Sequence, residues 1–275
     1  MLSSSARQAS VGNRHPILMI KASTERFSDR VDNYVRYRPG YPPEVMELLR
    51  RECGLRPEHI LADIASGTGI FTRLLLENGN RVFAVEPNAA MRAAGSQLQE
   101  SFKNLVPISG TAEETTLPAA SVDFITAAQA AHWFHPKLAR AEFERILKPD
   151  GWCMFVWNER RTSGNPFLEQ YERILLTYCA DYKETRHGQT SRIIQEFFAG
   201  VPYQERVFQY TQEFDFEGLS GRLLSSSYSP LQQDPNHAPM MRELEQAFRD
   251  NARDNMVRFE YNTEVFISKL NAWPR

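Results

Sequence analysis

A glycine-rich turn between a buried strand and a helix constrains this chain more than any other feature. The segment from His59 to Gly69 reads HILADIASGTG, and a helix-like run follows it as far as Asn78. A second strand pattern then ends at Glu86. Glycines at such a turn let the backbone approach a ligand, and the N–H groups that begin the helix point at the same place. With a carboxylate at the tip of the next strand, the pattern predicts a nucleoside-binding site.

Helical and strand patterns alternate from about residue 41, as they do in a parallel sheet that carries helices on both faces. The segments predicted as strands are 59–64, 81–86, 105–109, 122–128, 152–158, 205–214 and 256–267. This order predicts an α/β, doubly wound fold. We expect a flexible tail over 1–26 and a single domain over 27–275. Within that domain, a helical lid is predicted at about 159–204, because this stretch has helical patterns and no sheet of its own.

Charge and composition limit the kinds of partner that this protein is expected to bind. The 275 residues carry a formal net charge of -2, and no window is strongly basic, so the electrostatic footprint of a nucleic-acid binder is missing. No apolar run approaches the ~20 residues that a membrane span needs. The three cysteines have no CxxC spacing and favour buried, reduced thiols over a metal site. We therefore expect a cytoplasmic protein, a monomer or homodimer, with a small-molecule substrate and neither a nucleic-acid nor a membrane partner.

The glycine spacing separates two classes of cofactor. A dinucleotide fingerprint reads GxGxxG, but this chain has Ile70 near the place of the last glycine. The spacing Asp63-x-Ala65-x-Gly67-x-Gly69 instead resembles the first motif of class I methyltransferases that use S-adenosyl-L-methionine. Further similar segments are GTAE at 110–113, SVDF at 121–124 and LKPDG at 147–151, the last close to a turn usually written LKPGG. The resemblance runs from about residue 27 to 267 and is greatest to the type 11 methyltransferase domain and the trans-aconitate-type small-molecule methyltransferases.

The resemblance implies a seven-stranded, Rossmann-like sheet that is mostly parallel with an antiparallel terminal strand. It also implies S-adenosyl-L-methionine as cofactor, S-adenosyl-L-homocysteine as product, and no metal. Glu86 would accept hydrogen bonds from the ribose hydroxyls, and Asp63 would orient the turn and reach the methionine ammonium. The implied cofactor-binding residues are Asp63, Ala65, Ser66, Gly67, Thr68, Gly69, Glu86, Pro87, Met91, Ala112, Glu113 and Gln129. Because Ala65 stands where the family usually has a glycine, we expect weakened but not abolished cofactor binding.

The segment AAQAAHWF follows the fourth predicted strand, at the edge of the sheet where open sheets bind ligands. In this segment His132 is the candidate catalytic residue, since a neutral imidazole can orient an acceptor or remove its proton. An equally good interpretation is a histidine hydrogen-bonded at the start of a helix. Trp133 could line the acceptor pocket or belong to the core.

A second polar and aromatic segment lies at 27–42 and reads FSDRVDNYVRYRPGYP. It is predicted to cap the cofactor, with Arg38 available to pair with a carboxylate, although an arm packed on the sheet explains its composition nearly as well. The predicted substrate-binding residues are Tyr34, Arg38, Tyr41, Trp133 and Trp157. Arg222, Tyr228 and Tyr261 could join them, but core or surface packing is the better interpretation of each of these three and of Trp157.

These observations predict an enzyme, a methyltransferase that acts on a small molecule, at an oxygen atom and with a carboxylate as one candidate. No Asn/Asp-Pro-Pro-Tyr/Phe motif follows the fourth strand, which disfavours N-methylation of amides or adenine. Two alternatives stay open. A nicotinamide-dependent oxidoreductase would use a similar fold, and a noncatalytic methyltransferase-like protein would bind the same cofactor without turnover.

Overall fold

The computed structural model of the protein describes residues 36–180, 182 and 189–272. The predicted tail over 1–26 lies outside these residues, and so does most of the predicted cap, including Tyr34. Part of the predicted lid is likewise outside them.

Seven strands form one sheet, and its order positions the site. The strands are β1 (Ile60–Ile64), β2 (Arg81–Val85), β3 (Leu105–Ile108), β4 (Val122–Ala128), β5 (Leu147–Arg160), β6 (Gln204–Phe214) and β7 (Val257–Ser268). They lie in the order β3-β2-β1-β4-β5-β7-β6. The five strands β1 to β5 pair in parallel, whereas β7 pairs antiparallel with both β5 and β6. The predicted fold class, a mostly parallel seven-stranded sheet with an antiparallel terminal strand, is confirmed.

Helices cover both faces of this sheet. They are α1 (Pro43–Arg51), α2 (Ile70–Glu77), α3 (Ala89–Ser96), α4 (Pro136–Ile146), α5 (Pro166–Tyr178), α6 (Gln189–Phe197), α7 (Phe216–Leu224) and α8 (His237–Asn251). In β4, Phe124 packs with the cluster that contains α1 and α2, while its neighbour Ile125 packs with the cluster that contains α4 and α6. Since successive strand residues point to opposite faces, both faces of β4 are buried from Phe124 to Ala127, and the one polar residue in this stretch, Thr126, donates a hydrogen bond to Asp63. Across the described ranges, no helix is long and apolar enough to cross a membrane.

A third apolar cluster lies outside the main sheet core. It joins α5, α7 and α8 to Phe259 and Tyr261 of β7. The two helices of the predicted lid therefore take different positions, because α5 belongs to this cluster while α6 packs on the main core through Ile194 and Phe197. The bounds of a lid stay a prediction.

Strand β5 is longer than the predicted segment 152–158. Its last residues are polar, but Asn158 is paired with Thr263 and Arg160 with Tyr261 across β7. Both Asn158 and Arg160 are buried with side-chain partners, so their polarity does not mark the end of the strand. Asn158 lines the cavity described below, whereas Arg160 forms a buried ion pair with Glu172.

Candidate active site

A cavity opens at the carboxyl ends of β1, β4 and β5. Its volume, counted out to the open mouth, is about 590 Å³. Six residues of the predicted cofactor set line it, namely Asp63, Ala65, Ser66, Gly67, Thr68 and Gln129, together with Arg38 and Tyr41 of the predicted substrate set. Ligands of open α/β sheets bind at this edge. The structure therefore brings the glycine turn and part of the cap around one space.

The glycine turn has a left-handed backbone at three alternate positions. The φ angles are 54° at Ala65, 58° at Gly67 and 85° at Gly69. A Cβ on Gly67 would meet no atom within 4 Å, whereas one on Gly69 would lie 2.7 Å from Leu98. Gly67 thus leaves the cavity open to a ligand, and Gly69 permits close packing. The left-handed φ of Ala65 gives a physical reason for a glycine at that position, because L-residues are strained there.

Asp63 fixes the turn to its neighbours. The Thr72 hydroxyl of α2 donates to Asp63 Oδ2 at 2.6 Å, and the Thr126 hydroxyl of β4 donates to Oδ1 at 2.8 Å. The carboxyl is 1% exposed, and this burial raises its pKa to about 6 against the two hydrogen bonds. Asp63 thus joins β1, β4 and α2, as an orienting residue would, and its reach to a ligand ammonium stays a prediction.

Glu86 is held against the same turn from the tip of β2. Gly67 N–H donates to its Oε2 at 2.9 Å, and Asn88 N–H donates to its Oε1 at 2.8 Å. Burial raises the pKa of Glu86, and the two N–H donors oppose that effect. Each carboxylate oxygen has a second lone pair, so both can still accept a hydroxyl.

Of the predicted cofactor set, Glu86 and Gly69 do not line this cavity, and neither do the four residues that remain. Met91 is buried, and its N–H donates to Asn88 Oδ1 at the start of α3. Pro87 receives a hydrogen bond from Arg92 on its carbonyl, and Ala112 is a buried core residue. Glu113 accepts the His135 N–H at 2.8 Å, at the residue that precedes α4. Contact of these four residues with a cofactor stays a prediction.

His132 stands among aromatic rings. Its centroid is 4.3 Å from that of Trp133 and 5.1 Å from that of Trp157. His132 is exposed to solvent, and neither it nor Trp133 and Trp157 line the cavity described above. The surrounding protein lowers the pKa of His132 to about 4, and the positive charge of Arg38 adds to the effect. No hydrogen bond of the imidazole is seen within the described residues, and a catalytic role of His132 stays a prediction.

Residues 36–42 cross the mouth of the cavity. The Tyr37 hydroxyl donates to Glu217 of α7 at 3.1 Å, and Arg38 donates to the Ser225 carbonyl at 3.0 Å. Tyr41 then packs edge-on against Phe71 of α2, with ring centroids 5.0 Å apart. This part of the predicted cap is thus attached to both sides of the opening.

The sequence-based set omitted two polar residues that line the cavity, Asn158 and Arg222. Asn158 donates to the Gly40 carbonyl of the cap at 2.8 Å, and its own carbonyl accepts from the side chain of Gln129 at 3.2 Å. Gln129 has a left-handed φ of 56°, a strained conformation of the kind often found at functional sites. A polar residue at the end of an apolar strand was a usable signal for Asn158. Arg222 was considered, but periodicity could not show that its side chain is buried and faces the cavity.

No group of three or more potential metal-ligating side chains occurs in the parts of the chain that the structure describes. Residues 62–155 match the family described as methyltransferase domain. An uncharacterised methyltransferase of Mycobacterium tuberculosis is 39% identical over 134 residues, which are 49% of this chain and 52% of that protein. The chain thus spans about half the length of this relative.

Two other comparisons bear on the fold and the chemistry. A malonyl-[acyl-carrier protein] O-methyltransferase of Serratia marcescens is 31% identical over 116 residues, or 39% of this chain and 44% of that enzyme. The structure of a type II methyltransferase from Anaeromyxobacter dehalogenans covers 85% of this chain and 98% of its own, with a TM-score of 0.64 and 20% identity. At that identity the likeness concerns the fold. Taken with the strand order, these findings show that the chain has the fold of these methyltransferases and that its segment 62–155 is similar to a methyltransferase domain.

Proposed function

We propose that this protein transfers a methyl group from S-adenosyl-L-methionine to an oxygen atom of a small-molecule acceptor. The choice of S-adenosyl-L-methionine as cofactor rests on one observation above all: the buried Glu86 carboxylate is held at the glycine turn by the N–H of Gly67. It has the residue type, the position and the spare lone pairs to accept two ribose hydroxyls.

Two further features of the turn fit this cofactor. The missing side chain of Gly67 faces open space in the cavity. The Thr68 hydroxyl is buried and has no hydrogen-bond partner in the described part of the chain, so it is available to a polar ligand. Glu86, Asp63 and the turn backbone would hold the cofactor, which supplies a methyl group on a positively charged sulfur when bound.

The protein's contribution to such a reaction is alignment and exclusion of water. Holding an acceptor within about 3 to 3.5 Å of the reacting carbon removes much of the entropic barrier. The cap over 36–42, Gln129 and Asn158 enclose the cavity in which this alignment would occur. A carboxylate acceptor needs no base, whereas an alcohol would need one. The candidate base is the neutral imidazole of His132, which is close to Arg38 of the cavity but does not itself line it.

Oxygen is favoured as the acceptor atom by the Serratia marcescens relative, whose name gives an O-methyltransferase. Arg38 at the cavity adds a positive charge that suits an anionic acceptor. A nicotinamide cofactor is disfavoured because the Ile70 side chain borders the cavity near the position where a dinucleotide fingerprint has glycine.

The test is a product screen with cofactor that carries an isotopic label in its methyl group. Pools of small acids and alcohols are incubated with the full chain, and mass spectrometry follows the label. We expect the label in a methyl ester or ether. Binding of S-adenosyl-L-homocysteine with no labelled product from any pool would instead support a noncatalytic binding protein.

A further inference from the structure

Arg222 is a buried cation with no carboxylate beside it. The residue is 7% exposed, and its Nε and Nη1 donate only to hydroxyls, of Tyr261 at 3.4 Å and of Ser226 at 3.2 Å. It forms no ion pair with any residue that the structure describes. Arg160 is similarly buried, with 8% of its surface exposed, but its charge is compensated by an ion pair with Glu172. A buried charge without such compensation is costly.

The charges around Arg222 do not cancel. Among the residues that the structure describes, the buried cluster around Tyr171 contains two guanidinium groups, Arg160 and Arg222, and one carboxylate, Glu172. Its net charge is therefore +1. Because Arg222 also lines the cavity, a ligand that enters the cavity can supply the missing negative charge.

A second polar group close by lacks a partner. The hydroxyl of Tyr171 is buried without a hydrogen bond in the described part of the protein. Burial raises the pKa of Tyr171, and the charge of Arg222 is near enough to act in the opposite direction. A guanidinium that donates only to neutral hydroxyls and a phenol without an acceptor are both suited to an oxyanion.

Arg222 lies on the side of the cavity away from the predicted nucleoside. Its partner Tyr261 is on β7, opposite Arg160 of β5. In the sheet, β7 is three strand intervals from β1, or about 14 Å at the usual spacing between strands. Glu86 follows β2, which is the neighbour of β1 on the side away from β7. The cofactor residues thus use β1, β2 and β4, and Arg222 faces the space that remains.

We propose that Arg222 binds a carboxylate of the acceptor, so that the enzyme selects small carboxylic acids. This inference rests on the proposed function, because it takes the ligand opposite the cofactor to be the methyl acceptor. A carboxylate matches both the fork of the guanidinium and the single uncompensated charge. The anchored carboxylate places the rest of the acceptor toward the glycine turn.

The test measures ligand-induced thermal shifts with three matched probes: succinate, its neutral diamide and inorganic phosphate. Each is added to the full chain with and without S-adenosyl-L-homocysteine. We expect succinate to stabilise the protein more than either other probe. Arg222→Met should weaken succinate binding by about tenfold or more, the effect of losing one charge-assisted contact. Arg258→Met is the control, since Arg258 is an exposed β7 residue that pairs with Glu213 outside the cavity.

Stability without ligand separates a binding role from a structural one. If Arg222 serves to bind an anion and not to stabilise the fold, Arg222→Met should leave the melting temperature of the ligand-free protein unchanged or raise it. A lower melting temperature that Arg222→Lys restores would assign Arg222 to the fold and overturn the proposal. Equal succinate binding by Arg222→Met and the unaltered protein, or preference for phosphate or the diamide, would also overturn it.

Binding of the cofactor product separates this proposal from the proposed function. Arg222→Met should bind S-adenosyl-L-homocysteine as the unaltered protein does. Weaker binding would assign Arg222 to the cofactor's own carboxylate and overturn the acceptor assignment. If the unaltered protein binds no S-adenosyl-L-homocysteine but still binds succinate through Arg222, the proposed function fails while the carboxylate site stands.

Discussion

The amide N–H of Gly67 donates a hydrogen bond to Glu86 Oε2 at 2.9 Å, which ties the tip of β2 to the glycine turn. The other carboxylate oxygen takes the N–H of Asn88, so the orientation of Glu86 is fixed from both sides. A group held in this way loses little freedom when a ligand binds. The proposed nucleoside half of the site is therefore preorganised by the backbone.

We expect Ala65→Gly to stabilise the protein by up to about 1 kcal/mol, because glycine adopts the left-handed backbone at this position without the strain of a Cβ. The gain is partly offset by the greater freedom of glycine in the unfolded chain. Urea unfolding measures it. Ala93→Gly, in the exposed part of α3, is the control and should destabilise by about 1 kcal/mol. Equal losses in both variants would contradict a strained Ala65.

Asp63 should make the protein less stable as the pH rises. Burial raises the pKa of the Asp63 carboxyl from 3.8 to about 6. The stability that this shift contributes to the folded state is therefore fully present below about pH 4 and is lost as the pH rises through about 6. The loss corresponds to about 3 kcal/mol. The free energy of unfolding of Asp63→Asn should therefore increase by this amount relative to the unaltered protein between about pH 3 and about pH 7.

Asp123 provides a control of opposite sign. Although partial burial opposes it, hydrogen bonds from Ile60 N–H and Lys148 hold the pKa of Asp123 below its usual value. The stability that the ionised Asp123 contributes to the folded state is present above its unfolded-state pKa and is lost as the pH falls. Asp123→Asn should thus lose stability relative to the unaltered protein as the pH rises. Parallel pH profiles for the two variants would exclude a raised pKa at Asp63.

Gly221→Ala should release the cap from the cavity. A Cβ on Gly221 would lie 2.1 Å from the ring of Tyr37, so the ring must move and its contact with Glu217 is lost. We expect faster dissociation of S-adenosyl-L-homocysteine in stopped-flow measurements. Ser220→Ala, at the neighbouring helix position, should leave the rate unchanged. In a double variant with Tyr37→Ala, the two effects should not add, because both act on one contact. Additive effects would show that the cap does not act through this packing.

His132 should titrate far below an ordinary histidine. The surrounding protein lowers its pKa to about 4, and Arg38 contributes to the shift. NMR titration of the imidazole measures its midpoint, and Arg38→Met should move the midpoint upward. A midpoint at or above 6.5 would show that neither the neighbouring protein nor Arg38 lowers the pKa of this exposed imidazole. A base with this low pKa remains unprotonated throughout the neutral range.

The sequence was sufficient where one local pattern determines both structure and position. The strand that ends at Ile64, the turn to Gly69 and the carboxylate of Glu86 are specified by apolar runs and glycine spacing. Glu113 shows the limit, since its partner is the N–H of His135 and no local pattern indicates that contact. The position of Arg222 in the cavity could not be predicted from the sequence either, because its burial depends on how α7 packs against β7 and α8. Long-range packing determines the acceptor side of the site.

The most direct test of the account is a calorimetric titration of the full chain with S-adenosyl-L-homocysteine, compared with Glu86→Gln. Glu77→Gln, at an exposed residue of α2, is the control. We predict saturable binding by the unaltered protein and by Glu77→Gln, and binding weakened by about tenfold or more in Glu86→Gln, where a charged acceptor is lost. No saturable heat with the unaltered protein, or equal affinity in Glu86→Gln, would contradict the central claim that the turn and Glu86 bind this cofactor.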